Sequence, residues 1–126
     1  MNKKTALLAA VLSLGTLVGC ASQKSQKQAA TEQWGRTRAT VMLSLANDQF
    51  RSGNLDKCGE TVNQAMAIDP TNVELHILKA RLQIEDGQLE SALKSLDAAR
   101  TLNPEHAEVD YLTGVMDQGK VEGLTK

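Results

Sequence analysis

From residue 39 onward, apolar residues fall at helical spacing in segments that are interrupted at regular places. Leu55, Cys58, Val62, Ala65 and Met66 recur at steps of one, three and four, as do Leu89, Ala92, Leu93, Leu96 and Ala99. Such steps put the apolar side chains on one face of an α-helix and predict two amphipathic helices. Gly53 and Gly87 stand just ahead of these helices, where a tight turn needs a residue without Cβ strain. Pro70 and Pro104 follow them and stop them, because proline has no N–H to give and restricts the residue before it. Each unit therefore reads as helix, glycine turn, helix, proline stop.

The units repeat. Residues 39–72 set against 73–106 give six identities at an offset of 34: Ala46/Ala80, Gln49/Gln83, Gly53/Gly87, Leu55/Leu89, Ala65/Ala99 and Pro70/Pro104. Unrelated segments of ordinary composition would share about two. Other pairs keep their character, among them Val41/Leu75, Leu43/Ile77, Phe50/Ile84, Cys58/Ala92, Val62/Leu96 and Ile68/Leu102. Small residues (Ala46, Ala80, Cys58, Ala92) recur where two helices must approach closely.

This pattern resembles the tetratricopeptide repeat. The resemblance covers residues 39–106 as two full units and reaches a third first helix at 107–118, where Val109, Tyr111 and Gly114 match Leu75, Ile77 and Ala80. It implies an all-α fold, a short solenoid of α-hairpins with two full repeats and a partial or capping helix. Two departures stand out. Lys79 and Thr113 occupy places where the family usually has a large apolar residue, and Gln49 and Gln83 stand where it usually has an aromatic one. The third unit has no second helix. Either 107–118 is the terminal cap that such arrays need, or the chain is a fragment of a longer scaffold. At the other end, Thr31 to Arg38 is expected to lengthen the first helix or add a short cap, with Trp34 docked on it.

The first twenty residues have a different character. Asn2-Lys3-Lys4 is followed by an apolar run from Ala6 to Val18, which is shorter than the roughly 20 residues of a membrane-spanning helix. A positive start, a short apolar middle and small residues before a cut form a secretory signal. Leu17-Val18-Gly19-Cys20 resembles the lipobox of bacterial lipoproteins. That resemblance implies lipid on the Cys20 thiol, cleavage before Cys20 and acylation of the new amino group. Ala21 stands where an Asp would resemble an inner-membrane retention signal, so the expected address is the outer membrane, facing the periplasm. The expected organisation is a signal peptide at 1–19, a flexible tether at 20–30, a helical domain at 31–119 and a disordered tail at 120–126. Ten flexible residues reach about 15–20 Å.

Composition narrows the functions. A chain of 126 residues, 41% apolar, makes one small domain. Aromatic residues are 2% of it, fewer than most sandwiches and barrels use. The net charge is −1, and losing Lys3 and Lys4 with the signal peptide makes it more negative. No basic field is left for nucleic acid or for anionic lipid, so lipid chains must do the anchoring. No phosphate-binding, zinc-protease or nucleophile-elbow motif occurs. His76 and His106 have no cysteine or carboxylate at zinc-ligand spacing. No metal, cofactor or catalytic residue is expected. Cys58 occupies the place of Ala92 and reads as a small buried residue. The rival reading, a redox or catalytic accessory, would use its thiol.

What remains is binding. In the family that the repeats resemble, first helices line the concave side. The corresponding residues are Leu43, Asn47, Phe50 and Arg51 in the first unit, Ile77, Arg81, Ile84 and Glu85 in the second, and Tyr111 and Val115 in the third. This surface would suit a peptide or a partner helix. Asn47 matches one member of the family's carboxylate clamp, but Leu43 stands where a Lys would be, so capture of a C-terminal carboxylate is not expected. The expectation is a non-enzymatic, lipid-anchored envelope scaffold whose partner is another protein or peptide. A partner or a second copy is expected to cover its incomplete terminal face.

Overall fold

A computed structural model describes the backbone of residues 19–124 and the side chains of 24–119. Five helices follow one another: α1 (Gly19–Arg51), α2 (Leu55–Ile68), α3 (Val73–Glu85), α4 (Leu89–Leu102) and α5 (Ala107–Leu124). No strand occurs among the described residues. The fold is all-α, and α1 with α2, then α3 with α4, form consecutive hairpins. Residues 1–18 of the expected signal peptide 1–19, and the side chain of Cys20, lie outside the described residues.

The chain divides into two units, 1–34 and 35–126. Within the first, Gly19–Trp34 is the leading part of α1, and residues 24–34 are exposed. The stretch 20–30, expected as a flexible tether, is therefore helical. Its polar low complexity hides strong helix formers: between Ala21 and Trp34 the chain is Ala, Gln, Lys, Glu, Ser and Thr with neither glycine nor proline. Trp34, expected to dock, is 72% exposed. At the other end α5 continues through 120–124, part of the segment expected as a disordered tail.

The second unit shows the repeat in its hydrogen bonds. After α1, Gly53 N–H donates to the Phe50 carbonyl at 3.0 Å and Asn54 N–H to the Gln49 carbonyl at 2.9 Å. After α3, Gly87 N–H donates to Ile84 at 3.0 Å and Gln88 N–H to Gln83 at 2.7 Å. Both are Schellman turns, which need a left-handed residue after the helix. Gly53 and Gly87 supply it, with φ of +76° and +71°. The second helices end alike: Asp69 N–H donates to Ala65 and Asn103 N–H to Ala99, each at 2.9 Å. The Asp69 and Asn103 side chains then accept from the backbone N–H groups of Thr71 and Glu105. All these pairs are 34 residues apart.

Packing follows the same period. Ala46, Cys58, Ala80 and Ala92, the small residues of the pattern, are all fully buried. One core cluster joins Ala46, Cys58 and Val62 to Leu78 and Leu82, with Leu43, Phe50, Leu55 and Met66 packed against it. A second joins Ile77, Ala80, Ala92, Leu96 and Ala99 to Val109 and Met116 of α5. Helix α3 feeds both clusters, so it is apolar on two sides, whereas α2 and α4 bury one face each.

Candidate functional site

The first helices are α1, α3 and α5, and the structure places their candidate binding residues unevenly. On α1, Leu43 and Phe50 are half-buried against the first cluster. Asn47 donates its side-chain amide to the Leu43 carbonyl at 3.1 Å, one turn back on its own helix. Arg51 is exposed and stands 3.9 Å from Asp48, an ion pair of the kind worth little in water.

On α3 the sequence expectation needs correcting. Ile77 is 2% exposed and lies in the second cluster between α3, α4 and α5, not on an open face. Ile84 packs against that cluster too. Arg81 pairs with Glu108 at the start of α5, and that pair fixes its guanidinium between two helices. Glu85 is exposed. The reason is positional. Ile77 is covered by α4 and α5, while Leu78 and Leu82 on the other side of α3 pack on α2.

On α5, Tyr111 is 68% and Val115 47% exposed. They stand one turn apart and form an apolar pair in the open. Their neighbour Gly114 occupies the place of Ala46 and Ala80. Those alanines lie under a packed helix, but a Cβ added at Gly114 would meet nothing within 4 Å. Among the described residues no second helix covers α5 at Gly114 as one covers Ala46 and Ala80.

Several polar contacts between helices are not visible in the sequence pattern. His106 Nε2–H donates to Glu74 Oε1 at 2.9 Å, across 32 residues, so His106 joins α3 to the turn before α5 and is not a free surface group. Arg100 of α4 reaches Asp110 Oδ1 and Thr113 Oγ1 of α5, both at 3.3 Å. Nothing in apolar spacing reports such polar pairs. Lys79 and Gln83, the departures from the family pattern, border an open cleft between α3 and α4. There the Ser95 hydroxyl donates to Gln83 Oε1 at 2.7 Å.

Cys58 is fully buried, and burial pushes its thiol pKa up from the ordinary value. A reactive thiol needs the opposite, an exposed group whose thiolate is favoured. Among the described residues no group of three or more His, Cys, Asp or Glu could hold a metal ion.

Helix hairpins with a shared turn geometry and a 34-residue period define a helical repeat scaffold. The chain belongs to the tetratricopeptide repeat family, whose model matches residues 49–114, just over half of it. Such a domain is a scaffold for protein–protein contact and is typically non-catalytic. No curated protein and no solved structure matches the chain significantly.

Proposed function

We propose that this protein is a non-enzymatic adaptor of the bacterial envelope, lipid-anchored through Cys20, which presents its repeat domain to another protein or peptide. The observation that carries the binding role is α5. Among the described residues nothing covers its outer side, and Tyr111 and Val115 are exposed a turn apart. The partner surface is centred there, with Arg51 and Glu85 as exposed polar groups at the ends of α1 and α3. Leu43 and Phe50 pack in the cluster of α1, α2 and α3, and Ile84 packs on the cluster that includes α5.

The anchoring reading rests on the sequence Leu17-Val18-Gly19-Cys20 after a short apolar run. Among the described residues no helix is long and apolar enough to cross a membrane. Two or three acyl chains on one residue hold far better than one, which gives only marginal, reversible binding. The destination we infer is the outer membrane, on its periplasmic side.

Two measurements test the two halves separately. A photoreactive amino acid placed at Tyr111 should crosslink in living cells to a discrete protein, and the same group at Lys57, on α2, should not. Equal crosslinking from both positions would remove α5 as the binding surface. Intact mass of the mature protein should show acyl groups on a chain beginning at Cys20, and Cys20→Ser should release it from membranes. A Cys20→Ser protein that stays membrane-bound would contradict the lipid anchor.

A further inference from the structure

We propose that the cleft between α3 and α4, closed at one side by α2, is a binding site for a compact anion, a carboxylate or phosphate group. The cleft has a volume of about 330 Å³ and opens to solvent. Met66 of α2, His76, Lys79 and Gln83 of α3, and Lys94 and Ser95 of α4 are on its walls. It exists because of two substitutions within the repeat pattern. Large apolar side chains at positions 79 and 83 would fill the space between paired helices. Here a lysine and a glutamine stand instead, and Gln83 folds onto Ser95, which leaves the volume open.

The charges in the cleft are unbalanced. Lys79 and Lys94 are cationic, and no carboxylate lines the walls. Lys94 is held 3.1 Å from Glu90, one turn back on the same exposed helix face. Such a surface pair is weak and easily exchanged for a ligand. Lys79 makes no ion pair among the described residues. His76 donates its Nε2–H to the Pro70 carbonyl at 2.8 Å, which anchors the ring and leaves Nδ1 uncommitted.

One period later the chain shows what completes such a place. Met66, His76 and Lys79 correspond to Arg100, Asp110 and Thr113. There the cation from the second helix meets a carboxylate and a hydroxyl from the following first helix. At the corresponding places one period earlier stand a methionine on α2 and His76 and Lys79 on α3, with no carboxylate among them. A ligand's anion would supply the missing charge. An ammonium donates up to three hydrogen bonds, and the bonds it gives to an anion are of the stronger, charge-assisted kind. The cleft is distinct from the Tyr111 and Val115 surface.

The test is a nuclear magnetic resonance titration of the full-length, isotope-labelled chain. The probes are sodium phosphate, sodium glutarate and an acetylated, amidated tripeptide with a central glutamate, each against sodium chloride at matched ionic strength. Saturable shifts confined to Lys79, Gln83, Lys94 and Ser95 are expected. Saturation by phosphate or glutarate marks a free solute as the ligand, and tighter saturation by the tripeptide marks a partner's acidic side chain. Lys79→Met should weaken binding by at least about tenfold and leave the fold intact. Lys79→Gln, which keeps polarity and removes charge, should weaken it similarly, and Lys57→Gln should not. Shifts that fail to saturate with all three probes, or that survive both Lys79 variants, would overturn the proposal.

Discussion

Three glycines that look alike in the sequence have different work in the fold. Gly53 and Gly87 hold φ values of +76° and +71°, in open surroundings where an added Cβ meets no neighbour. Their substitution cost is therefore a backbone cost alone. Gly53→Ala and Gly87→Ala should each destabilise by about 1–2 kcal/mol in urea unfolding. Gly114 lies in α5 with the same open surroundings but no positive φ. Gly114→Ala should stabilise by up to about 1 kcal/mol, through helix propensity. A loss of stability there would mean that something packs on α5 in the isolated chain. Cys58 gives a second residue-scale prediction. Its folded pKa lies above the ordinary 9.0, so the native state keeps its proton where the unfolded chain has lost it. This contribution is neutral below the unfolded value and lowers stability as pH rises through it. Iodoacetamide at pH 8.5 should label native protein much more slowly than urea-unfolded protein. Equal rates would restore the reactive-thiol reading.

Elements carry most of what the sequence made legible. The turns at Gly53 and Gly87 and the stops near Pro70 and Pro104 were readable because each depends on local backbone chemistry. The small buried residues were readable because the period repeats them. Three things were not. Residues 20–30 looked unstructured because they have no apolar period, yet helix propensity needs none. Ile77 looked like a groove residue because spacing fixes a face but not how many neighbours cover it. Arg81 looked available because its partner Glu108 is 27 positions away, beyond any local pattern. The central hairpin should therefore be the strongest element. Leu96 is 1% exposed in the cluster that joins α3, α4 and α5. Leu96→Ala should cost about 2–5 kcal/mol. Leu102, on the same helix but 40% exposed, should cost less when changed to Ala. Equal losses would show that α4 does not bury the face assigned to it.

For the whole molecule, the two clusters and the shared use of α3 matter most. A plain helical bundle of this size would surround one core. A repeat array places a separate core at each junction and lets a middle first helix serve two of them. Among the described residues α5 has an exposed side at Tyr111 and Val115, and the binding proposal begins there. The measurement that tests it most directly is a set of methyl nuclear Overhauser effects on the full-length chain. Leu78 and Leu82 should show contacts to Val62, while Ile77 shows contacts to Leu96 and Val109, with no contact between Val62 and Val109. Methyls of α2 and α5 found together in one shared core would contradict the repeat architecture and the open α5 surface with it.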